Sequence, residues 1–180
     1  MTTADPVKAD EPPDRWLSMT RQGKSAGNAC RPCYPSDMKS EKAMGEVRVK
    51  VKLFNATDEG LVRRGLLKPE QVRIYETEAL VDTGAVRSVI PAHVREHLGV
   101  AQVGQRVAEY ADGRNDVVGF TEPIRFELLQ RDTFDDALVL GTEVLIGQTV
   151  LEKTDLLVDC ARRRVIPNPA HPDQPVNKVK

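Results

Sequence analysis

Asp82-Thr83-Gly84 is the segment of this chain best suited to chemistry. It follows the apolar run Ala79-Leu80-Val81 and precedes Ala85, with Ser88-Val89-Ile90 soon after. A buried strand ending on an acid, a small hydroxyl residue and a glycine presents a carboxylate at its tip, in a turn tight enough to favour glycine. One carboxylate is half of a hydrolytic pair. Activating water at a carbonyl takes one ionised and one protonated acid, and two acids about 3 Å apart share a proton because both cannot ionise. Such a pair titrates as a unit. The chain holds one Asp-Thr-Gly and no internal repeat of it. A two-fold axis must therefore set Asp82 of one subunit against Asp82 of a second, and an isologous dimer does this directly.

Other constellations compete with this one. His93-Val94-Arg95-Glu96-His97 matches His-x-x-Glu-His, which places both histidines on one helical face as in zinc peptidases. It lacks an evident third ligand, since His171 lies in a proline-rich stretch, and a solvated helix face is expected. Cys30-Arg31-Pro32-Cys33 has no second pair to complete a zinc site and no flanking strand and helix to make a redox motif. Cys160, after the apolar Leu156 to Val158, is expected in the core. Turn and surface roles are expected for Asp112 and Asp116, and capping or solvated roles for Asp155 and Asp159. Lys50, Lys52, Arg63 and Arg64 are scattered, and Arg162-Arg163-Arg164 reads as the rim of a turn. The sequence thus predicts neither a metal site nor a cofactor.

The elements that must position Asp82 are mostly strands. Val47, Val49, Val51 and Leu53 alternate with Arg48, Lys50 and Lys52, the pattern of a half-buried strand with a basic outer face. Residues 55–70 read as a longer connection with a helical turn at 61–67. A second strand over 72–81 runs into Asp82. Pro91 starts a short helix that buries Val94 and Leu98 and closes at Gly99. A strand over 103–111 turns at Asp112-Gly113, a favoured hairpin dipeptide, and returns over 117–129 with a break near Pro123. Apolar strands follow at 137–140 and 144–146, then a helical turn at 149–153. Strands at 156–158 and 165–166 finish the sheet.

Composition sets the outer bounds. With 180 residues, the chain is one ordinary domain with tails. Residues 1–43 carry prolines, scattered charge and no periodicity, and read as a disordered N-terminal extension, with Met44 a candidate start. The folded domain spans 44–167, and 168–180 form a proline-rich C-terminal tail. A core of about 120–140 residues buries roughly two thirds of its unfolded surface, enough to fold without staples. The 26 basic and 27 acidic side chains leave a formal charge of −1, which points to neither nucleic acid nor an anionic membrane. No apolar stretch reaches the ~18 residues of a membrane span, and no secretory signal is visible. Three cysteines argue against a disulfide framework, and the cytoplasm is the expected address.

Taken in order, these segments resemble the retropepsin-like aspartic proteases of clan AA. Ala79 to Ala85 with Ser88-Val89-Ile90 looks like their active-site strand and loop, and Tyr110-Ala111-Asp112-Gly113 lies where their flap hairpin sits. Val144-Leu145-Ile146-Gly147 resembles their second apolar-apolar-glycine segment, which precedes a helix. The stretch from Met44 to Pro169, with Gly65-Leu66-Leu67 and Pro167-Asn168-Pro169, is similar to prokaryotic members of the clan. The resemblance implies a mainly β fold: one closed β-barrel half with one or two short helices, working as a two-fold dimer. Asp82 is then the catalytic acid and base. Thr83 bonds across the dyad, Gly84 permits the turn, Ala85 lies beside the substrate, and Ala111, Asp112 and Gly113 close over it as a flap.

The chain also departs from that pattern. Gln148 stands where many retropepsins carry an arginine that braces the dimer, and the flap lacks the multiple glycines of viral enzymes. Ala85 replaces the hydroxyl residue of pepsin-type relatives, so the dyad should keep its proton to higher pH and work nearer neutrality than pepsin does. The reading is a homodimeric aspartic endopeptidase acting on peptide or protein substrate. The alternative is a catalytically silent dimeric peptide-binding or assembly module on the same fold.

Overall fold

Alternation sets the first strand. In β1 (Val47–Asn55) Val47, Val49, Val51 and Leu53 are buried while Lys50 and Lys52 face outward. The computed structural model describes residues 45–176. The expected extension over 1–43, the Cys30/Cys33 pair, Met44 and positions 177–180 lie outside the described residues.

Asn55 ends β1 and caps helix α1 (Ala56–Arg63), its side-chain oxygen accepting the Asp58 N–H at 3.0 Å. The helix therefore starts well before the turn expected at 61–67. A short 3-10 turn, Pro69–Gln71, leads into β2 (Ile74–Val81), which pairs antiparallel with β1. Lys52 and Glu76 pair across this ladder at 2.8 Å, and Lys50 stands opposite Glu78. The basic face of β1 is thus met by acids. After β3 (Ser88–Ile90) comes α2 (Ala92–Leu98), which buries Val94 and Leu98 and closes at Gly99 in the left-handed region, as its pattern predicts.

Strands β4 (Gln102–Glu109) and β5 (Asn115–Thr121) form the expected hairpin, and the break near Pro123 separates β5 from β6 (Ile124–Leu128). The apolar segments become β8 (Ala137–Val139) and β9 (Leu145–Ile146), and α3 (Gln148–Lys153) follows. Strand β7 (Arg131–Asp135) was not foreseen: its inward residues include Arg131 and Asp135, so it has no apolar alternation.

Nine strands form one sheet in the order β4-β5-β8-β3-β9-β2-β1-β6-β7. The expected closed barrel is not found: among the described residues the sheet is open, with β4 and β7 as its edges. The β7 edge is protected by another route, because α3 packs beside it and Lys153 Nζ donates to Phe134 O at 3.1 Å and to Asp135 at 3.0 Å. Strands β10 (Leu156–Asp159) and β11 (Arg164–Pro167) do not finish this sheet either. Among the described residues they pair only with each other, and β11 packs against β1.

The core joins Leu53, Ile90, Leu98, Ile124, Phe126, Leu128 and Ile146, all almost fully buried. Each contributes about 1.5–3 kcal/mol by leaving water. Arg131 is buried beneath residues 168–176 and donates to Asp155 O at 2.6 Å, to Thr154 O at 3.0 Å and to His171 O. Among the described residues, no helix is long and apolar enough to cross a membrane.

Candidate active site

Strands β2 and β3 are consecutive in sequence but not neighbours in space. Strand β9 lies between them, parallel to β2 and antiparallel to β3. The Asp82 loop must therefore span two strand spacings, roughly 10 Å, across the end of β9. It is tied to the chain it crosses at Asp82, Ala85, Val86 and Ser88. Asp82 N donates to Ile146 O at 3.0 Å, Gln148 N to Ala85 O at 2.8 Å and Thr149 N to Val86 O at 3.1 Å. The Thr149 hydroxyl donates to Val86 O at 2.7 Å, and Ser88 Oγ accepts the Gly147 N–H at 3.0 Å.

These ties present a carboxylate to solvent. Asp82, Thr83 and Gly84 are exposed and Ala85 is half-buried. Gly84 N–H donates to Asp82 Oδ1 at 2.8 Å, and Ala85 N–H to Asp82 O at 3.3 Å. A Cβ on Gly84 would stand 3.2 Å from that same Oδ1, so the glycine leaves room for the acid; its φ lies outside the left-handed region, so the turn itself does not demand glycine. The Thr83 hydroxyl has no hydrogen-bond partner among the described residues. Val86, next in the loop, is 67% exposed. Gln148, at the start of α3, is exposed and bonded to Glu152 at 2.6 Å.

Cross-strand register reveals a second feature beside the acid. Phe120 on β5 lies opposite Leu138 on β8, and Leu138 opposite Val89 on β3. Val89 lies opposite Leu145 on β9, and Leu145 opposite Leu80 on β2. Residues paired in register share a face, so five apolar side chains run as one row across five adjacent strands. All are only half-buried. Their neighbours on the opposite face, Ala79, Ile90, Thr121, Ala137 and Ile146, are 0% exposed. The row ends at Leu80, two residues before Asp82, the spacing that returns a side chain to the same face.

Ala111, Asp112 and Gly113 occupy the exposed tip of the β4–β5 hairpin, and among the described residues no hydrogen bond ties this tip to the Asp82 loop. Gly113 N donates to Tyr110 O at 2.8 Å, with Gly113 at φ 81. Asp112 accepts from the Arg114 side chain at 2.7 Å and its backbone at 3.1 Å. The Arg114 guanidinium holds the Asp112 carboxyl below the usual range.

His93 and His97 are exposed, each meeting the Tyr75 ring edge-on. Among the described residues no three His, Cys, Asp or Glu side chains gather as a metal would need. Cys160 is exposed on the turn between β10 and β11, not in the core: the inward residues there are Leu156 and Val165. Asp159 caps that turn, accepting Arg162 N at 3.0 Å. Asp155 receives Asn168 and His171, both at 2.8 Å.

No protein-family model matches the chain, and no curated protein matches it. Sequence reasoning located the Asp82 loop and the Val144 to Gly147 segment but not the Ser88–Gly147 bond that joins them. The signal was a buried-type serine shortly after the loop and a glycine after an apolar pair. The apolar row had no signal, because it depends on which distant strands become neighbours.

Proposed function

We propose that this chain is one half of a homodimeric aspartic endopeptidase of retropepsin-like type, in which Asp82 meets Asp82 of the partner subunit. One acid, ionised, takes a proton from water as that water attacks the peptide carbonyl, while the other, protonated, donates to the carbonyl oxygen. The supporting observation is an exposed carboxylate, oriented by the Gly84 N–H, on a loop fastened to β9. Exposure is what a shared dyad requires, since a walled-off acid could not meet its twin. The Thr83 hydroxyl, unbonded among the described residues, and the exposed Val86 further along the loop suit contact with a second copy.

An extended peptide would lie along the apolar row, with the β4–β5 hairpin over it. The row favours apolar side chains near the bond that is cut. Cleavage of a denatured protein by wild type and by Asp82→Asn tests the reading: wild type should cut and the variant should not. Peptide binding without any cleavage dependent on Asp82 would instead identify a silent peptide-binding module.

A further inference from the structure

We infer that Arg106 is a specificity-determining residue that reads a carboxylate on the bound peptide, an inference resting on the peptide site just described. Gly104 lies opposite Phe120 and Arg106 opposite Val118, so Arg106 shares the face of the apolar row and extends it onto β4. Its guanidinium stands 3.8 Å over the Phe120 ring, and one of its nitrogens donates to Gln105 O at 3.0 Å. A Cβ at position 104 would come within 2.6 Å of that ring. The missing side chain at Gly104 therefore lets Phe120 lie against β4, beneath the arginine. The result is a planar fork held in one orientation with donors to spare, and a pre-ordered arginine loses less freedom on binding.

The other arginines around the row are already matched. Arg114 pairs with Asp112, Arg87 with Asp136, and Arg48 with Glu46 and Glu143. Arg106 has no carboxylate partner among the described residues. It stands at one end of the row. At the other end Arg48 lies opposite Leu80, outnumbered by its two glutamates. The row is therefore polarised: an acidic side chain is favoured at the hairpin end and opposed at the β1 end. From β4 to β2 is about 24 Å along the sheet, so the acid read by Arg106 lies within roughly seven extended residues of the cut bond. A guanidinium grips a carboxylate through two parallel hydrogen bonds, which a neutral amide cannot reproduce.

The test uses peptides with one apolar centre and a single Glu moved through the flanking positions, each paired with its Gln counterpart. Binding is read by fluorescence anisotropy on Asp82→Asn protein, and cleavage on wild type. One position should bind Glu about tenfold more tightly than Gln, with the ratio shrinking as salt rises. Arg106→Gln should bring that ratio to about one while Gln-peptide affinity stays within about twofold, and Arg106→Lys should recover only part of it. Equal affinity for Glu and Gln at every position, or a ratio that survives Arg106→Gln, overturns the assignment. Discrimination in binding with no cleavage by wild type supports the role of Arg106 and overturns the protease reading instead.

Discussion

Ser88 and Gly147 hold the two sides of the Asp82 loop together: the buried Ser88 hydroxyl accepts the Gly147 N–H at 3.0 Å. The approach is so close that a Cβ on Gly147 would stand 2.5 Å from the Arg87 carbonyl carbon. Ser88→Ala leaves a buried N–H without an acceptor and should cost about 1–3 kcal/mol in denaturant unfolding. Gly147→Ala forces backbone against backbone and should cost about 3 kcal/mol. Wild-type stability in both variants would show that the loop does not depend on this junction.

Gly84 stands against the Asp82 carboxylate rather than in the core. Its Cβ position lies 3.2 Å from Asp82 Oδ1, and the loop is exposed. Gly84→Ala should therefore leave the unfolding free energy within about 0.5 kcal/mol while displacing the carboxylate. A fall in kcat/KM of about tenfold or more, with an unchanged melting temperature, is the expected pair of results.

Asp58 gives the fold an acid-sensitive joint. The Arg73 side chain bonds its two oxygens at 2.7 and 2.8 Å, and Arg73 N adds a third bond at 3.1 Å. These bonds hold the Asp58 carboxyl below the usual range, outweighing burial, which pushes it up. A depressed folded pKa stabilises the protein above the unfolded value of about 3.9, and the contribution is lost as pH falls through the folded value. Asp58→Asn should cost about 2 kcal/mol at pH 7. The gap from wild type should close as pH falls below about 4. A gap constant with pH would contradict the assignment.

Arg131 fastens residues 168–176 to the body. Its side chain is 4% exposed, and the carbonyls of Thr154, Asp155 and His171 all accept from it. Arg131→Met should cost about 3 kcal/mol, because buried acceptors lose their donor. Limited proteolysis should then cut within 168–176 sooner than in wild type. Unchanged cleavage there would mean that Asp155, through Asn168 and His171, holds the segment alone.

What the sequence showed and what it hid follow from the range of the forces involved. The alternation of Val47 to Leu53, the Val94/Leu98 spacing and the Asp112-Gly113 turn are local patterns, and each element formed where its pattern lay. Helix α1 starts earlier than expected because Asn55 serves both as the last strand residue and as the cap. Strand β7 stayed hidden because Arg131 and Asp135 occupy inward positions where apolar residues are usual. Cys160 followed an apolar run, yet the turn carried it outward. The open edge at β7 had no local signal, because Lys153 and α3, which cover it, follow in a later segment. The Asp82 loop was legible in its residues, but the β9 crossing that fastens it, and the row from Phe120 to Leu80, arise from pairings, some parallel and some antiparallel, between segments apart in the chain.

The central claim, that two chains share one acidic pair, is tested most directly by mixing subunits. Wild type is reassorted with Asp82→Asn protein at varied ratios, and cleavage of a denatured protein is measured at constant total concentration. A mixed dimer holds one carboxylate and cannot divide the two roles. Activity should therefore fall as the square of the wild-type fraction, to about one quarter at equal amounts. A linear fall, or cleavage by pure Asp82→Asn protein at the wild-type rate, would contradict the account.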